Sequence, residues 1–182
     1  MATSVLGISG SLRAGSFNTA ALRVAKELAP EGMTIEIADI SQIPLYNEDV
    51  YQQGFPPSVD RFRDQIRAAD ALLFATPEYN FSISGVLKNA IDWASRPPAQ
   101  PFNGKPAAML GASAGRAGTA RAQLHLRHVL STLNAHVLNK PDVLIATAQN
   151  MFDDNGKLTD EATRKFVRQE LEALLGWTEK LA

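Results

Sequence analysis

The chain has 182 residues, of which 45% are hydrophobic and 20% are charged, and this length and composition predict one globular domain over residues 1–182. Its 18 basic and 19 acidic side chains give a net charge of -1, so no overall positive field favours binding to nucleic acid or to an anionic membrane. The absence of cysteine excludes disulfides, thiolate metal sites and a cysteine nucleophile. Because no apolar run reaches the ~18 residues of a membrane span and no export signal precedes the first apolar segment, we expect a cytoplasmic protein.

Short apolar segments alternate along the chain with segments whose apolar residues recur at helical spacing. This alternation predicts an α/β protein with a parallel sheet that is covered by helices on both faces. The connection 41–55 has no clear period and is predicted to be irregular. In chain order, the predicted strands are 3–9, 33–38, 71–75, 106–110 and 142–146, and the predicted helices are 18–28, 56–69, 85–95, 119–133 and 159–181.

In a parallel sheet of this kind, ligands bind beyond the carboxyl ends of the strands. The loops that follow the first, third and fourth predicted strands are therefore the places to look for a site. They have unusual sequences: GSLRAGSF at 10–17, TPEYNFSIS at 76–84 and GASAGRAG at 111–118.

The first of these loops combines short polar residues with one arginine. Gly10 and Gly15 have the spacing of a triphosphate-binding loop, but the lysine that such a loop requires is missing, and the pattern is not that of a dinucleotide fingerprint either. One interpretation is an ordinary turn in which Ser16 or Asn18 caps the next helix. The alternative, which the number of polar groups favours, is a phosphate site at the helix N-terminus. The groups available to such a site are Ser9, Ser11, Arg13, Ser16 and Asn18.

The third loop matches the G-x-S-x-G pattern of a hydrolase nucleophile, with Ser113 at its centre. A hydrolase of that fold needs an acid and then a histidine after the serine, but no Asp or Glu lies between Ser113 and the last histidine, His136. We therefore expect Ser113, Gly115 and Gly118 to let the backbone approach a flat ligand closely instead.

Charge is unevenly distributed along the chain. Residues 27–92 contain eleven acids and four bases, whereas residues 93–141 contain six bases and no acid. Either folding mixes these segments on one surface, or Arg116 and Arg121 lie beside a phosphorylated ligand. His125 and His128 are three residues apart, and we interpret them as structural or interface residues rather than metal ligands.

Three segments together resemble a known family. The sequences GSLRAGSFN at 10–18, PEYN at 77–80 and GVLKNAIDW at 85–93 are similar to those of the NAD(P)H-dependent FMN reductases, and most similar to the bacterial quinone and chromate reductase branch. The resemblance implies a flavodoxin-like three-layer sandwich with a five-stranded parallel sheet of order 2-1-3-4-5. It also implies bound FMN, NAD(P)H as cosubstrate, and a homodimer or homotetramer.

The resemblance also assigns the cofactor-binding residues, and it assigns no catalytic side chain and no metal ligand. Ser84 departs from the family, which usually has proline before the glycine that begins the next helix. We expect Ser84 to cap that helix instead. The FMN phosphate is assigned to the loop of Ser11, Leu12, Arg13, Ser16 and Asn18, one side of the ring to Pro77, Glu78, Tyr79 and Asn80, and its other side to Ser113 and Gly115.

The expected function is hydride transfer from NAD(P)H to FMN, followed by transfer of two electrons to a quinone or a related acceptor such as a flavin, an azo or nitro compound or chromate. The alternative is a flavodoxin-like electron carrier or a redox sensor with little NAD(P)H turnover. We expect an oligomer because Leu87, Ile91 and Trp93, beside Tyr79, offer more apolar surface than one sheet face needs.

Overall fold

Strands and helices alternate along residues 2–182, the part of the chain that the computed structural model describes. The helical segments that were predicted from spacing all form, and their ends lie within two residues of the predicted ends. The strands are β1 (Thr3–Ser9), β2 (Met33–Ala38), β3 (Ala71–Ala75), β4 (Pro106–Ala112), β5 (His136–Val137) and β6 (Val143–Ile145), and the helices are α1 (Phe17–Glu27), α2 (Glu48–Tyr51), α3 (Pro57–Ala68), α4 (Gly85–Ala94), α5 (Ala120–Thr132) and α6 (Glu161–Leu181), with a 3-10 turn at Ala148–Asn150.

The sheet is parallel, and its strand order is β2-β1-β3-β4-β5, with β6 also paired to β4. The predicted order 2-1-3-4-5 is therefore confirmed. The edge beside β4 differs from the prediction, because two short strands share it instead of one. Strand β5 pairs with β4 as far as Ala107, and β6 pairs with β4 from Leu110 onward. Pro141, which has no N–H to donate to a ladder, lies between these segments.

Apolar residues on both faces of the sheet explain the three layers. Every residue of β3 and β4 is buried, as expected for central strands of a sheet covered on both sides. One core cluster packs α1 and α6 against the sheet through residues such as Leu22 and Leu171. The other packs α3, α4 and α5 against the opposite face through Phe62, Leu87 and Leu126. The flavodoxin-like sandwich is thus confirmed.

Glu170 of α6 is a buried acid at the incomplete edge of the sheet. It is 1% exposed, and its Oε2 atom has no hydrogen-bond partner among residues 2–182. Burial raises the pKa of Glu170 well above its ordinary value, and the backbone N–H of Met109 and the charge of Arg127 only partly oppose this shift. Met109 lies between the points where β5 and β6 pair with β4, so the carboxyl group lies at the gap between the two segments.

The long connection 41–55 contains the short helix α2 and is fixed to α4. The side chains of Asn89 and Trp93 both donate to the backbone oxygen of Pro44, at 2.8 and 2.9 Å. Asn89 also accepts the backbone N–H of Tyr46 at 2.8 Å. No helix in residues 2–182 is both long and apolar enough to cross a membrane.

Candidate cofactor-binding site

The three unusual loops meet at the carboxyl ends of β1, β3 and β4. They enclose a cleft of about 300 Å³. Of the predicted site residues, Ser9, at the end of β1, does not line this cleft, and neither do Leu12, Asn80 and Gly115 of the loops. The lining residues are Ser11, Arg13, Ser16, Phe17, Asn18, Pro77, Glu78, Tyr79, Ala112, Ser113 and Ala114.

Two glycines allow these loops to pack closely. A Cβ atom on Gly10 would lie 2.9 Å from Cδ of Pro77, and one on Gly111 would lie 1.8 Å from Oγ1 of Thr119. Both distances are too short for real contacts. The first loop can therefore contact the second, and the end of β4 can contact the start of α5, only because these positions have no side chain.

The first loop leads into the N-terminus of α1 and leaves hydrogen-bond donors free there. Ser16 caps the helix, and its Oγ accepts the backbone N–H of Thr19 at 3.4 Å. Within residues 2–182, the backbone N–H groups of Phe17 and Asn18 have no acceptor, and the exposed guanidinium of Arg13 has no carboxylate within ion-pair distance. Free amides, a helix N-terminus and an unpaired cation together favour an anion.

Asn18 has a structural task that the sequence did not indicate. Its side chain is buried, donates to the backbone oxygen of Ala112 and accepts the backbone N–H of the same residue, both at 2.9 Å. These paired bonds fix the start of α1 to the end of β4. Since the amide is already bonded in this way, only its second N–H and the backbone N–H of Asn18 remain for a phosphate.

Glu78 points to α5 and not into open space. Its side chain is 6% exposed, and its Oε2 accepts the backbone N–H groups of Arg121 and Ala122 at 3.0 and 3.1 Å. Its Oε1 accepts Nε of Arg121 at 2.6 Å and forms an ion pair with the same guanidinium. Burial alone would raise the pKa of Glu78, but the hydrogen bonds from Arg121 and Ala122 outweigh it and lower the pKa.

The ion pair bears on the uneven charge distribution along the chain. Glu78 already balances the charge of Arg121, so this arginine does not offer an unpaired cation to a phosphorylated ligand. The sequence could not reveal this pair, because its members are separated by 43 positions and meet only in the fold. Arg116 is exposed in the third loop and does not line the cleft.

A tight turn follows Glu78. Tyr79 and Ser82 exchange two backbone hydrogen bonds of 3.0 Å, and the two residues between them, Asn80 and Phe81, have φ values of 50° and 66°. Two central residues in the left-handed region define a type I′ turn. Asparagine tolerates this conformation, whereas an aromatic residue such as Phe81 adopts it at a cost.

Ser84 takes the place of the proline that is usual in the resembling family. Its Oγ accepts the backbone N–H of Leu87 at 3.1 Å and donates to the backbone oxygen of Gly10 at 2.6 Å. The expected helix cap is thus confirmed. The backbone at Ser84 has φ of -66°, the value that a proline ring imposes, so serine keeps the same entry to α4.

Ser113 stabilises the third loop. Its Oγ accepts the backbone N–H of Gly115 at 3.1 Å, and its own backbone bonds to Ile145 and Ala148. Helix α5 begins at Ala120, seven positions later, so Ser113 does not lie on the sharp strand-to-helix turn of a hydrolase nucleophile.

A flavodoxin-like sheet with a cleft of hydroxyls, free amides and a guanidinium at its carboxyl edge defines a class: a protein that binds a phosphorylated ligand at the strand ends. Comparison with known proteins narrows this class. The family model described as NADPH-dependent FMN reductase matches residues 3–150, and the chain belongs to this family.

Relatives support this assignment over nearly the whole chain. An NAD(P)H-dependent FMN reductase of Pseudomonas aeruginosa is 69% identical over 177 residues, which are 97% of this chain and 96% of the relative. A quinone reductase of Escherichia coli is 44% identical over 172 residues, 93% of this chain and 92% of the relative. Among solved structures, the flavoenzyme NAD(P)H:(acceptor) oxidoreductase FerB of Paracoccus denitrificans matches with a TM-score of 0.89 and 38% identity, covering 98% of each chain. The sequence-based prediction of an NAD(P)H-dependent FMN oxidoreductase is confirmed by these matches.

Proposed function

We propose that the cleft binds FMN and that the protein reduces quinones or related small acceptors with NAD(P)H. The observation that carries this proposal is the unpaired cation beside free amides: Arg13 has no carboxylate partner in residues 2–182, and the N-terminus of α1 next to it has free N–H groups. A phosphate monoester supplies the charge and the acceptors that these groups need.

The residues of the cleft fit FMN in two regions. Ser11, Arg13 and Ser16, with the backbone amides of α1, would hold the phosphate. Tyr79 and the second loop would lie along one side of the ring, and the third loop around Ser113 along the other. Asn80, Gly115 and Leu12 would act through the shape of their loops, since none of them lines the cleft.

When bound, FMN supplies the redox chemistry, because it accepts a hydride from NAD(P)H and returns two electrons to an acceptor. The chain's own residues bind and orient. Glu78 is the buried acid of the cleft, and its lowered pKa keeps it ionised at neutral pH. With both carboxylate oxygens already bonded to α5, it has no free position from which to deliver a proton.

The acceptor class is inferred from the relatives. The Escherichia coli relative is named a quinone reductase. Tyr79 is 54% exposed, so the side of the cleft that it borders is open to a flat molecule. A planar quinone suits such an aromatic boundary.

We also propose that residues 1–182 act as one FMN-binding domain. We further propose that the protein is cytoplasmic, since NAD(P)H is supplied there.

Anaerobic mixing tests this function. We expect NADPH or NADH to abolish the visible absorption of the bound FMN at least as fast as the enzyme turns over in the steady state. We expect 1,4-benzoquinone to restore this absorption. Slow bleaching and no quinone-dependent oxidation of NAD(P)H would contradict the proposal and would indicate an electron carrier or a redox sensor. Running both nucleotides in parallel also determines the preferred reductant.

We further propose a homodimer or homotetramer, but on different residues from those predicted. Leu87, Ile91 and Trp93 are at most 1% exposed within the protomer, so the prediction that they form an interface is wrong. Exposed apolar side chains lie instead at Phe81 and Leu124, which are 63% and 65% exposed. A groove of about 600 Å³ lies between α4 and α5 beside them, with Ile83 and Val129 among its lining residues.

Sedimentation tests the oligomer. We expect the wild type to sediment as a dimer or tetramer at micromolar concentration and Leu124→Asp to shift it toward monomer, because a buried carboxylate opposes association. Leu45→Asp is the matched control, since Leu45 is 85% exposed on the connection 41–55. A monomeric wild type, or equal effects of the two variants, would contradict the proposal.

A further inference from the structure

Three contacts connect the turn after β3 to one face of α5. Glu78 bonds to the backbone at the first turn of the helix and to the guanidinium of Arg121. That guanidinium lies 3.7 Å from the centre of the Phe81 ring. One helical turn further along α5, Nδ1 of His125 lies 3.1 Å from Oγ of Ser82.

The helix lacks a cap of its own, which explains why a carboxylate from another loop is bound there. Thr119 occupies the N-cap position but makes no side-chain capping bond. Glu78 instead accepts N–H groups at the second and third positions of α5, where the positive end of the helix dipole favours a negative charge. The loop after β3 and the helix therefore stabilise each other.

The arginine also supports a strained residue. Phe81 has φ of 66°, a left-handed conformation that is unfavourable for a non-glycine residue. The stacked guanidinium holds the ring in this position, and such stacking is favourable at partly exposed sites. Glu78 directly precedes the turn in the sequence, and it also binds Arg121, whose guanidinium lies against the Phe81 ring. Its carboxylate therefore restrains the turn at two points.

The helix is itself firmly fixed, so it can serve as a support. Gln123 donates to the backbone oxygen of Val143 at 3.0 Å, and Arg127 donates to that of Leu138 at 2.7 Å. Both bonds join α5 to the edge of the sheet. A turn connected to α5 is thereby fixed relative to the strands that form the cleft.

We infer that Glu78 and Arg121 are positioning residues: their ion pair holds the turn Tyr79–Ser82 in the conformation that presents Tyr79 to the cleft. Glu78 thus serves the site by fixing the loop and not by contacting the flavin ring with its carboxylate. The consequence for flavin binding rests on the proposed function, whereas the consequence for the turn does not.

Hydrogen exchange on the full chain without added flavin tests the inference directly. In Glu78→Gln and in Arg121→Met we expect the backbone N–H groups of Tyr79 and Ser82, which close the turn, to exchange at least tenfold faster. Amides of β1 should exchange at the wild-type rate, which separates a local release from general destabilisation. Lys26→Met is the control, because it removes an exposed ion pair with Glu36 that lies elsewhere. Unchanged exchange at the turn in both variants would overturn the inference.

Flavin titration then tests the consequence for the site. We expect each variant to bind FMN about tenfold more weakly, and the double variant to lose clearly less affinity than the sum of the two single losses, because both changes break the same pair. The visible circular dichroism of the bound flavin should change at saturating FMN, and Arg121→Lys, which keeps the charge above Phe81, should restore part of the signal. Wild-type affinity and dichroism in both variants would overturn the positioning role. Failure of the wild type to bind FMN would contradict the proposed function alone, since the exchange result at the turn stands separately.

Discussion

Arg13 carries a positive charge at the cleft, and within residues 2–182 no carboxylate neutralises it. We expect Arg13→Ala to weaken FMN binding by about 1.5 to 3 kcal/mol, the range of a hydrogen bond to a charged group. Arg23→Ala is the control, because Arg23 is also exposed and close to the first loop but does not line the cleft. Calorimetric titration measures both affinities. An equal loss of FMN affinity in the two variants would mean that Arg13 acts only through long-range electrostatic attraction and does not contact the phosphate.

Glu170 makes stability depend on pH. Because its pKa in the folded protein is raised above the unfolded value near 4.5, the folded state holds the proton more tightly. The favourable contribution is complete below the unfolded pKa and is lost as the pH rises toward the folded pKa, by up to about 1.4 kcal/mol per pH unit.

Urea unfolding between pH 5 and pH 8 checks this expectation. The wild type should lose stability across the range, and Glu170→Gln, which does not ionise, should lose less. Glu172→Gln, at an exposed position of the same helix, should follow the wild type. A Glu170→Gln curve parallel to that of the wild type would show that Glu170 does not titrate differently in the folded state.

The start of α4 depends on Ser84. Its hydroxyl caps the helix and also donates to the backbone oxygen of Gly10. Ser84→Ala should lower the free energy of unfolding by about 2 kcal/mol, since a lost cap costs about 1 kcal/mol and a buried carbonyl left without a donor costs a similar amount. Ser131→Ala, which removes an exposed hydroxyl near the end of α5, should have little effect. A similar loss in both variants would contradict this account of the cap.

The sequence predicted those elements whose pattern is local. Helical spacing and apolar runs located five of the six helices and five of the six strands, β1 to β4 and β6, because each of them buries apolar side chains in a regular pattern. The short strand β5 was missed, since two residues carry no period and pair only because β4 lies beside them. Helix α2 is four residues long and has no buried residue, so it left no apolar pattern in the connection 41–55.

For the candidate site, the sequence predicted the location but not the hydrogen bonds and ion pair within it. The rule that ligands bind at the strand ends selected the loops that do form the cleft. The bonds of Asn18 to Ala112 and of Glu78 to Arg121 join residues that are distant in sequence, and residue type alone could not distinguish a ligand contact from a structural one.

At the scale of the molecule, the sequence holds one loop that we propose to bind phosphate and no glycine-rich dinucleotide fingerprint. Nicotinamide and acceptor are then expected to use the same open side of the cleft in turn. Initial rates measured against NAD(P)H at several quinone concentrations should therefore give parallel reciprocal plots. Intersecting plots would indicate that both substrates bind together, and hence that a second binding region exists.

We propose that the first loop and the N-terminus of α1 bind the phosphate of FMN. Titration of the flavin-free protein with FMN and with riboflavin, which lacks the phosphate, tests it most directly. Loss of the charge-assisted hydrogen bonds should cost about 3 kcal/mol, so riboflavin should bind roughly a hundredfold more weakly than FMN. FAD should also bind more weakly than FMN, because the short loop offers one phosphate position. Equal affinity for FMN and riboflavin, or no binding of either, would contradict the account.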